Sequence, residues 1–205
     1  MRIGGFQKFS LIDYPGKCSA VVFTQGCNFR CPYCHNPELV HPTLFEEPLD
    51  VMAILGFLSR RRGLLDGVVV TGGEPTLHHD LPEFLARLKA MGFSVKLDTN
   101  GGHPIVLSDI ITHGLADFIA MDVKAPFEDY NRLAGVKVNI EAVQESINLI
   151  QRSGLEHLFR TTYPPDLLTE KDIRRLSNAL PAGHRYVVQP CSPLRKSRGR
   201  REQIN

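Results

Sequence analysis

The chain has no tryptophan, almost no net charge and no long apolar run. A formal charge of +2 leaves no basic footprint for a phosphate backbone or an anionic bilayer, so neither nucleic acid nor membrane is expected as a partner. No stretch approaches the ~18 consecutive apolar residues of a membrane-spanning helix. The first residues, MRIGGFQKFSLIDYPGK, lack the apolar centre of a secretory signal. Cysteine is scarce: there are five, an odd number, and three of them stand close together. That pattern argues against a disulfide framework and for a metal site in a reducing compartment. A cytoplasmic location is therefore expected.

What is present is enough for one sizeable domain: 205 residues, 42% of them apolar. Short runs rich in Val, Ile and Phe predict strands at Ser19–Thr24, Gly67–Thr71, Phe93–Asp98, Asp117–Val123, His157–Thr162 and Arg185–Gln189. Amphipathic stretches between them predict helices at Asp50–Arg61, Leu81–Met91, Ile105–His113, Glu141–Ser153 and Glu170–Leu180. Asp80 with Glu83, and Thr169 with Asp172, are spaced as capping boxes. Strand and helix in alternation make a parallel α/β architecture, either an open, partial (β/α)6 barrel or a doubly wound sheet. Both place ligands at the carboxyl ends of the strands. Residues 1–194 are read as one domain, followed by a basic and flexible tail over 195–205.

The segment CNFRCPYCHN places Cys27, Cys31 and Cys34 on one loop after the first predicted strand. Iron–sulfur clusters take cysteine thiolates, ordinarily four for a cubane of four irons. Three thiolates leave one iron open, as catalytic zinc sites leave one position open for substrate. Zinc bound by these cysteines and His35 is an alternative, although His35 follows Cys34 directly and no second ligand pair is present. Three packed thiols are a third. Cys18 and Cys191, alone in sequence, read as buried free thiols, and His78 and His79 as loop residues near the site mouth.

Other candidates fall at the ends of later strands. TGGEP, Thr71 to Pro75, reads as a tight turn, or as a loop whose carboxylate and carbonyls receive an ammonium group. LDTNG, Leu97 to Gly101, reads as an Asx-type turn. MDVK, Met121 to Lys124, reads as a strand-end ion pair. Asp98 and Asp122 on adjacent strand ends also suit a cation. Arg160 lies on the fifth predicted strand, facing either the site or solvent.

CNFRCPYC, with Tyr33 before its last cysteine, resembles the cluster motif of the radical S-adenosylmethionine (SAM) enzymes. The resemblance selects the partial barrel, and it implies a 4Fe-4S cluster whose open iron is chelated by the amino and carboxylate groups of SAM. Reductive cleavage of SAM would then give methionine and a 5′-deoxyadenosyl radical that removes a hydrogen atom from substrate. GGEP resembles the GGE motif of these enzymes, which implies that Gly72, Gly73 and Glu74 hold the amino group of SAM.

LDTNG and MDVK resemble segments of the glycyl-radical-enzyme activating enzymes. This implies SAM contacts from Asp98, Asn100, Asp122, Lys124 and Arg160, and a monovalent cation beside Asp98 and Asp122. LIDYPGK and VVFTQGCNFRCPYCHNPEL look like the anaerobic ribonucleoside-triphosphate reductase activating proteins in their longer form, a likeness running from about Gly4 to Gln189. The partner so implied is a glycyl-radical enzyme, foremost an anaerobic ribonucleotide reductase, with a flavodoxin- or ferredoxin-like electron donor. VVQPCSPL departs from the pyruvate formate-lyase activases, carrying Cys191 where they place a histidine. No cysteine-rich insert follows Cys34, so a single cluster is expected. A pyruvate formate-lyase-type activase, a small-molecule radical SAM enzyme and a non-catalytic metal-binding module stand as alternatives.

Overall fold

The computed structural model describes residues 1–180 and 183–191, so the boundary at 194 and the basic tail over 195–205 lie outside the described residues. One sheet runs through the structure. Its strands are β1 (Ile3–Ser10), β2 (Ser19–Thr24), β3 (Gly67–Gly72), β4 (Ser94–Thr99), β5 (Phe118–Asp122), β6 (Glu156–Tyr163) and β7 (Tyr186–Pro190), hydrogen-bonded in that order. From β2 to β7 all neighbours are parallel. Each strand is laid beside its predecessor, without the reversal of order that a doubly wound sheet requires. The result is a partial barrel of six parallel strands, each within a residue or so of its predicted span, extended by β1 at one edge.

β1 was not expected. It runs antiparallel to β2, with Ile3 opposite Thr24 and Ser10 opposite Ser19. Its sequence, IGGFQKFS, has two glycines and no β-branched residue after Ile3, so local preference hides it. Pairing with the apolar β2 creates it. DYPG is the turn that joins the two strands: Lys17 N–H donates to the Tyr14 carbonyl at 3.2 Å.

The helices are α1 (Pro37–Val40), α2 (Val51–Ser59), α3 (Leu81–Ala90), α4 (Pro104–Thr112), α5 (Tyr130–Ala134), α6 (Ile140–Arg152) and α7 (Glu170–Ala179). The short α1 and α5 lack the length for a sequence period, and neither was predicted. α3 buries Leu81, Phe84, Leu85 and Leu88, each contributing roughly 1.5–3 kcal/mol. The capping box at Thr169 and Asp172 is formed. The one at Asp80 is not: the Asp80 carboxylate turns instead to the amino group of Met1, and Glu83 pairs with Arg87 at 2.6 Å. A full ammonium charge outcompetes a backbone N–H for a carboxylate.

Strand side chains alternate between two clusters. Val22, Val68, Val70, Val95, Leu97, Ile119, Met121 and Phe159 join the helices in the large core. Val21, Val69, Phe118, Ala120 and Leu158 form a smaller cluster on the inner face, closed by Tyr14 from the β1–β2 turn, whose ring meets Phe118 edge-on at 5.9 Å. The same inner parity continues toward the strand ends as Phe23, Thr71, Asp98, Asp122, Arg160, Thr162 and Gln189, all lining one cavity. The inner face is thus apolar at one end and charged at the other.

Candidate active site

The cysteine loop leaves β2 after Thr24 and is held by its own aromatic residues. Phe29 and Tyr33 are buried, and Phe29 meets the Tyr130 ring at 6.3 Å. Arg30 N–H donates to the Ala134 carbonyl at 2.7 Å, and Cys34 N–H to the Cys31 carbonyl at 3.0 Å. Cys27, Cys31 and Cys34 are left half-buried on the wall of a cavity of about 380 Å³. Burial pushes all three thiols upward, Cys27 to about 12.

No three His, Cys, Asp or Glu side chains among the described residues are grouped to hold a single metal ion. Three thiols on the wall of one cavity suit a multi-iron cluster, in which each iron takes one thiolate. His35 lines the same cavity, and its Nε2 lies 4.0 Å from Cys191 Sγ. The Tyr33 hydroxyl is buried without a hydrogen-bond partner, as expected beside a space meant for another group.

The TGGEP loop is packed against the cysteine loop. A Cβ at Gly73 would sit 2.0 Å from the Gly26 carbonyl oxygen, and Gly72, at φ +111°, lies against the Thr24 backbone. These glycines therefore permit two strand-end loops to touch. Glu74 is buried and tied to protein donors on both oxygens. Oε1 accepts from Thr76 N (3.1 Å), Thr76 Oγ1 (2.6 Å) and Thr99 Oγ1 (2.8 Å), while Oε2 accepts from Asn100 N (2.7 Å). Burial pushes its carboxyl upward against the pull of these bonds. Asn100 carries the link onward: its Nδ2 donates to Asn28 Oδ1 at 2.8 Å and lies 3.9 Å from Cys27 Sγ.

A chain of alternating charge crosses three strand ends. Lys96 donates to Asp98 Oδ1, and Arg160 Nη2 to Asp98 Oδ2 at 3.1 Å. Arg160 Nε donates to Asp122 Oδ1, and Lys124 to Asp122 Oδ2 at 2.8 Å. Burial alone would raise the Asp122 carboxyl, but Arg160 and Lys124 outweigh it and hold the group well below the usual carboxylate range. Arg160 faces the site, not solvent. Where the sequence suggested a monovalent cation, a guanidinium lies between the Asp98 and Asp122 carboxylates, and each of their oxygens meets a cationic donor.

Each predicted site residue lines this one cavity. His78, His79, Cys18 and Cys191 do not. Cys18 and Cys191 are half-buried, not buried, and Cys18 Sγ donates to Asp66 Oδ2 at 2.9 Å. Sequence reasoning missed Thr76, Thr99 and Lys96. The signal for Lys96 was its i, i+2 relation to Asp98, which places both on one strand face.

The fold and cavity define an open-barrel enzyme with a thiol-bearing loop at the barrel mouth. The family model of the radical SAM superfamily matches residues 21–179. A Methanocaldococcus jannaschii protein assigned as a glycyl-radical enzyme activating enzyme is 34% identical over 196 residues, covering 93% of this chain and 80% of that protein. The pyruvate formate-lyase-activating enzyme of Clostridium pasteurianum is 30% identical over 189 residues, covering 87% and 76%. In fold, Streptococcus suis SuiB bound to S-adenosylmethionine superposes with a TM-score of 0.63 at 15% identity, over 86% of this chain and 41% of that one. The chain belongs to the radical SAM superfamily and, within it, to the glycyl-radical-enzyme activating enzymes. Among the described residues no helix is long and apolar enough to cross a membrane.

Proposed function

We propose that this protein is the activase of an anaerobic ribonucleoside-triphosphate reductase, generating a glycyl radical on that partner. The observation that carries the reading is the convergence, on one cavity, of three thiols from one loop with Glu74, Asp98, Asp122, Lys124 and Arg160 from successive strand ends. Cys27, Cys31 and Cys34 would hold a 4Fe-4S cluster, with Tyr33 packed beside it. Gly72, Gly73 and Glu74 would receive the amino group of SAM, and Asp98, Asn100, Asp122, Lys124 and Arg160 would line the rest of its site. When bound, the cluster and SAM supply a deoxyadenosyl radical able to take a hydrogen atom from a glycine.

The residues of this chain do the remaining work. Asn100 couples the SAM-amine loop to the cluster loop through Asn28. Arg160 orients both aspartates at once. Lys124 brings positive charge toward a carboxylate-bearing ligand while Asp122 keeps it protonated. The ribonucleotide reductase is favoured over a formate-lyase partner because VVQPCSPL carries Cys191 where formate-lyase activases place a histidine. The reading includes a cytoplasmic location and a flavodoxin- or ferredoxin-like electron donor.

The test is anaerobic loading with iron and sulfide, reduction, and incubation with SAM and a candidate reductase. A doublet glycyl-radical signal by electron paramagnetic resonance, absent in Cys31→Ala, is the expected result. A signal on a formate-lyase-type enzyme but not on the reductase would reassign the partner. Release of 5′-deoxyadenosine with no radical on either protein would point to a small-molecule substrate.

A further inference from the structure

Lys96 is out of place for a barrel interior. It is 3% exposed, and its strand neighbours on the inner face are Val69 and Phe118, both members of the small apolar cluster. An ammonium group buried among such residues is costly unless it is paired. Its partner is Asp98 Oδ1. Lys96 does not line the cavity, whereas Asp98, Arg160 and Lys124 do. Its charge therefore reaches the site only through Asp98, from behind.

The oxygens of the aspartate pair are fully allotted. Asp98 receives Lys96 and Arg160; Asp122 receives Arg160 and Lys124. Two negative charges face three positive ones, so an added metal cation would meet a surplus of positive charge and no bare oxygen. Without Lys96, the cations would number two, Asp98 Oδ1 would be left bare in a buried position, and a small cation would have both a charge and an oxygen to bind.

We infer that Lys96 is a built-in counter-cation, a positioning residue that holds Asp98 from behind and makes an inorganic monovalent cation unnecessary at this site. The inference rests on the cavity's being the SAM site. It explains how a guanidinium can span Asp98 and Asp122 without either carboxylate turning away: Lys96 holds Asp98 from one side and Lys124 holds Asp122 from the other.

The test uses the full chain and Lys96→Met and Lys96→Arg variants in sodium, potassium or tetramethylammonium chloride at one ionic strength. Two quantities are read: 5′-deoxyadenosine release from SAM by the iron-loaded protein under an ion-free photochemical reductant, and the melting temperature of the metal-free protein. The wild type should vary by less than about twofold across the salts, with an unchanged melting temperature. Lys96→Met should fall by about tenfold or more in tetramethylammonium and recover in potassium or sodium, its melting temperature rising in the same order. Lys96→Arg should behave as the wild type.

Wild-type turnover and melting temperature that both rise with potassium would overturn the inference. So would a Lys96→Met protein as active as the wild type in every salt, or one that no salt restores. If Lys96→Met does not fold, the wild-type and Lys96→Arg arms still decide. Wild type that releases no nucleoside in any salt would count against the SAM reading, while the melting arm would continue to judge Lys96.

Discussion

Glu74 Oε2 accepts the backbone N–H of Asn100 at 2.7 Å, joining the loop after β3 to the loop after β4. The other oxygen is surrounded by Thr76 and Thr99. Replacing Glu74 with Gln would set an amide NH₂ against at least one of these donors. Urea unfolding of the metal-free Glu74→Gln protein should show a loss of about 1–3 kcal/mol, the cost of leaving buried hydrogen-bonding groups unsatisfied. SAM binding measured by calorimetry should weaken by about tenfold or more. Unchanged stability would mean that the carboxylate is not holding the two loops together.

The five cysteines divide into three on the cavity wall and two away from it. Single alanine substitutions at Cys27, Cys31 and Cys34 should each abolish the visible absorbance of the loaded cluster and release of 5′-deoxyadenosine. Cys18→Ala and Cys191→Ala should keep both within about twofold. Loss of the cluster in Cys191→Ala would place that thiol among the ligands.

Burial raises the three cavity thiols, and metal binds the thiolate. The sign follows. With Cys27 at about 12, its thiolate fraction grows about tenfold for each pH unit throughout the neutral and mildly alkaline range. The initial rate of cluster loading, followed by absorbance, should therefore rise steeply from about pH 7 to about pH 9. A rate that flattens above about pH 8.5 would show that the thiols titrate at ordinary values.

Gly73 and Gly92 make a matched pair of substitutions. A Cβ at Gly73 would lie 2.0 Å from the Gly26 carbonyl oxygen, forcing backbone to move. At Gly92 a Cβ meets nothing within 4 Å, and the φ of +88° is the sole strain. Gly92→Ala should cost about 1 kcal/mol in chemical denaturation. Gly73→Ala should cost about 2 kcal/mol or more and reduce SAM cleavage, because the moving backbone carries Cys27 with it. Equal costs for the two would argue that the loops have slack at Gly73.

Much of the site was legible because its chemistry is written in short segments. CNFRCPYC, TGGEP, LDTNG and MDVK each end or follow a strand, and parallel βα order brings strand ends together without further information. What escaped was contact between those segments. Thr76 and Thr99 are ordinary threonines until they are seen holding Glu74. Asp80 was read as a helix cap because local spacing carries no trace of Met1, 79 positions away.

Taken alone, the sequence determined the six parallel strands and the close spacing of three thiols after the first of them. Local preference and spacing are enough for these, since short apolar runs and cysteine intervals are properties of a few neighbouring residues. Tertiary structure alone decided the N-terminal edge strand, whose glycines become β only against β2. It also decided the order of charge across the strand ends. Asp98 and Asp122 were two acids awaiting a cation until folding carried Arg160, on β6, across to both and set Lys96 behind the first. Which opposite charges meet depends on where strands 24 to 62 residues apart come to lie, and Coulomb energy is settled by that distance in space, not by distance along the chain.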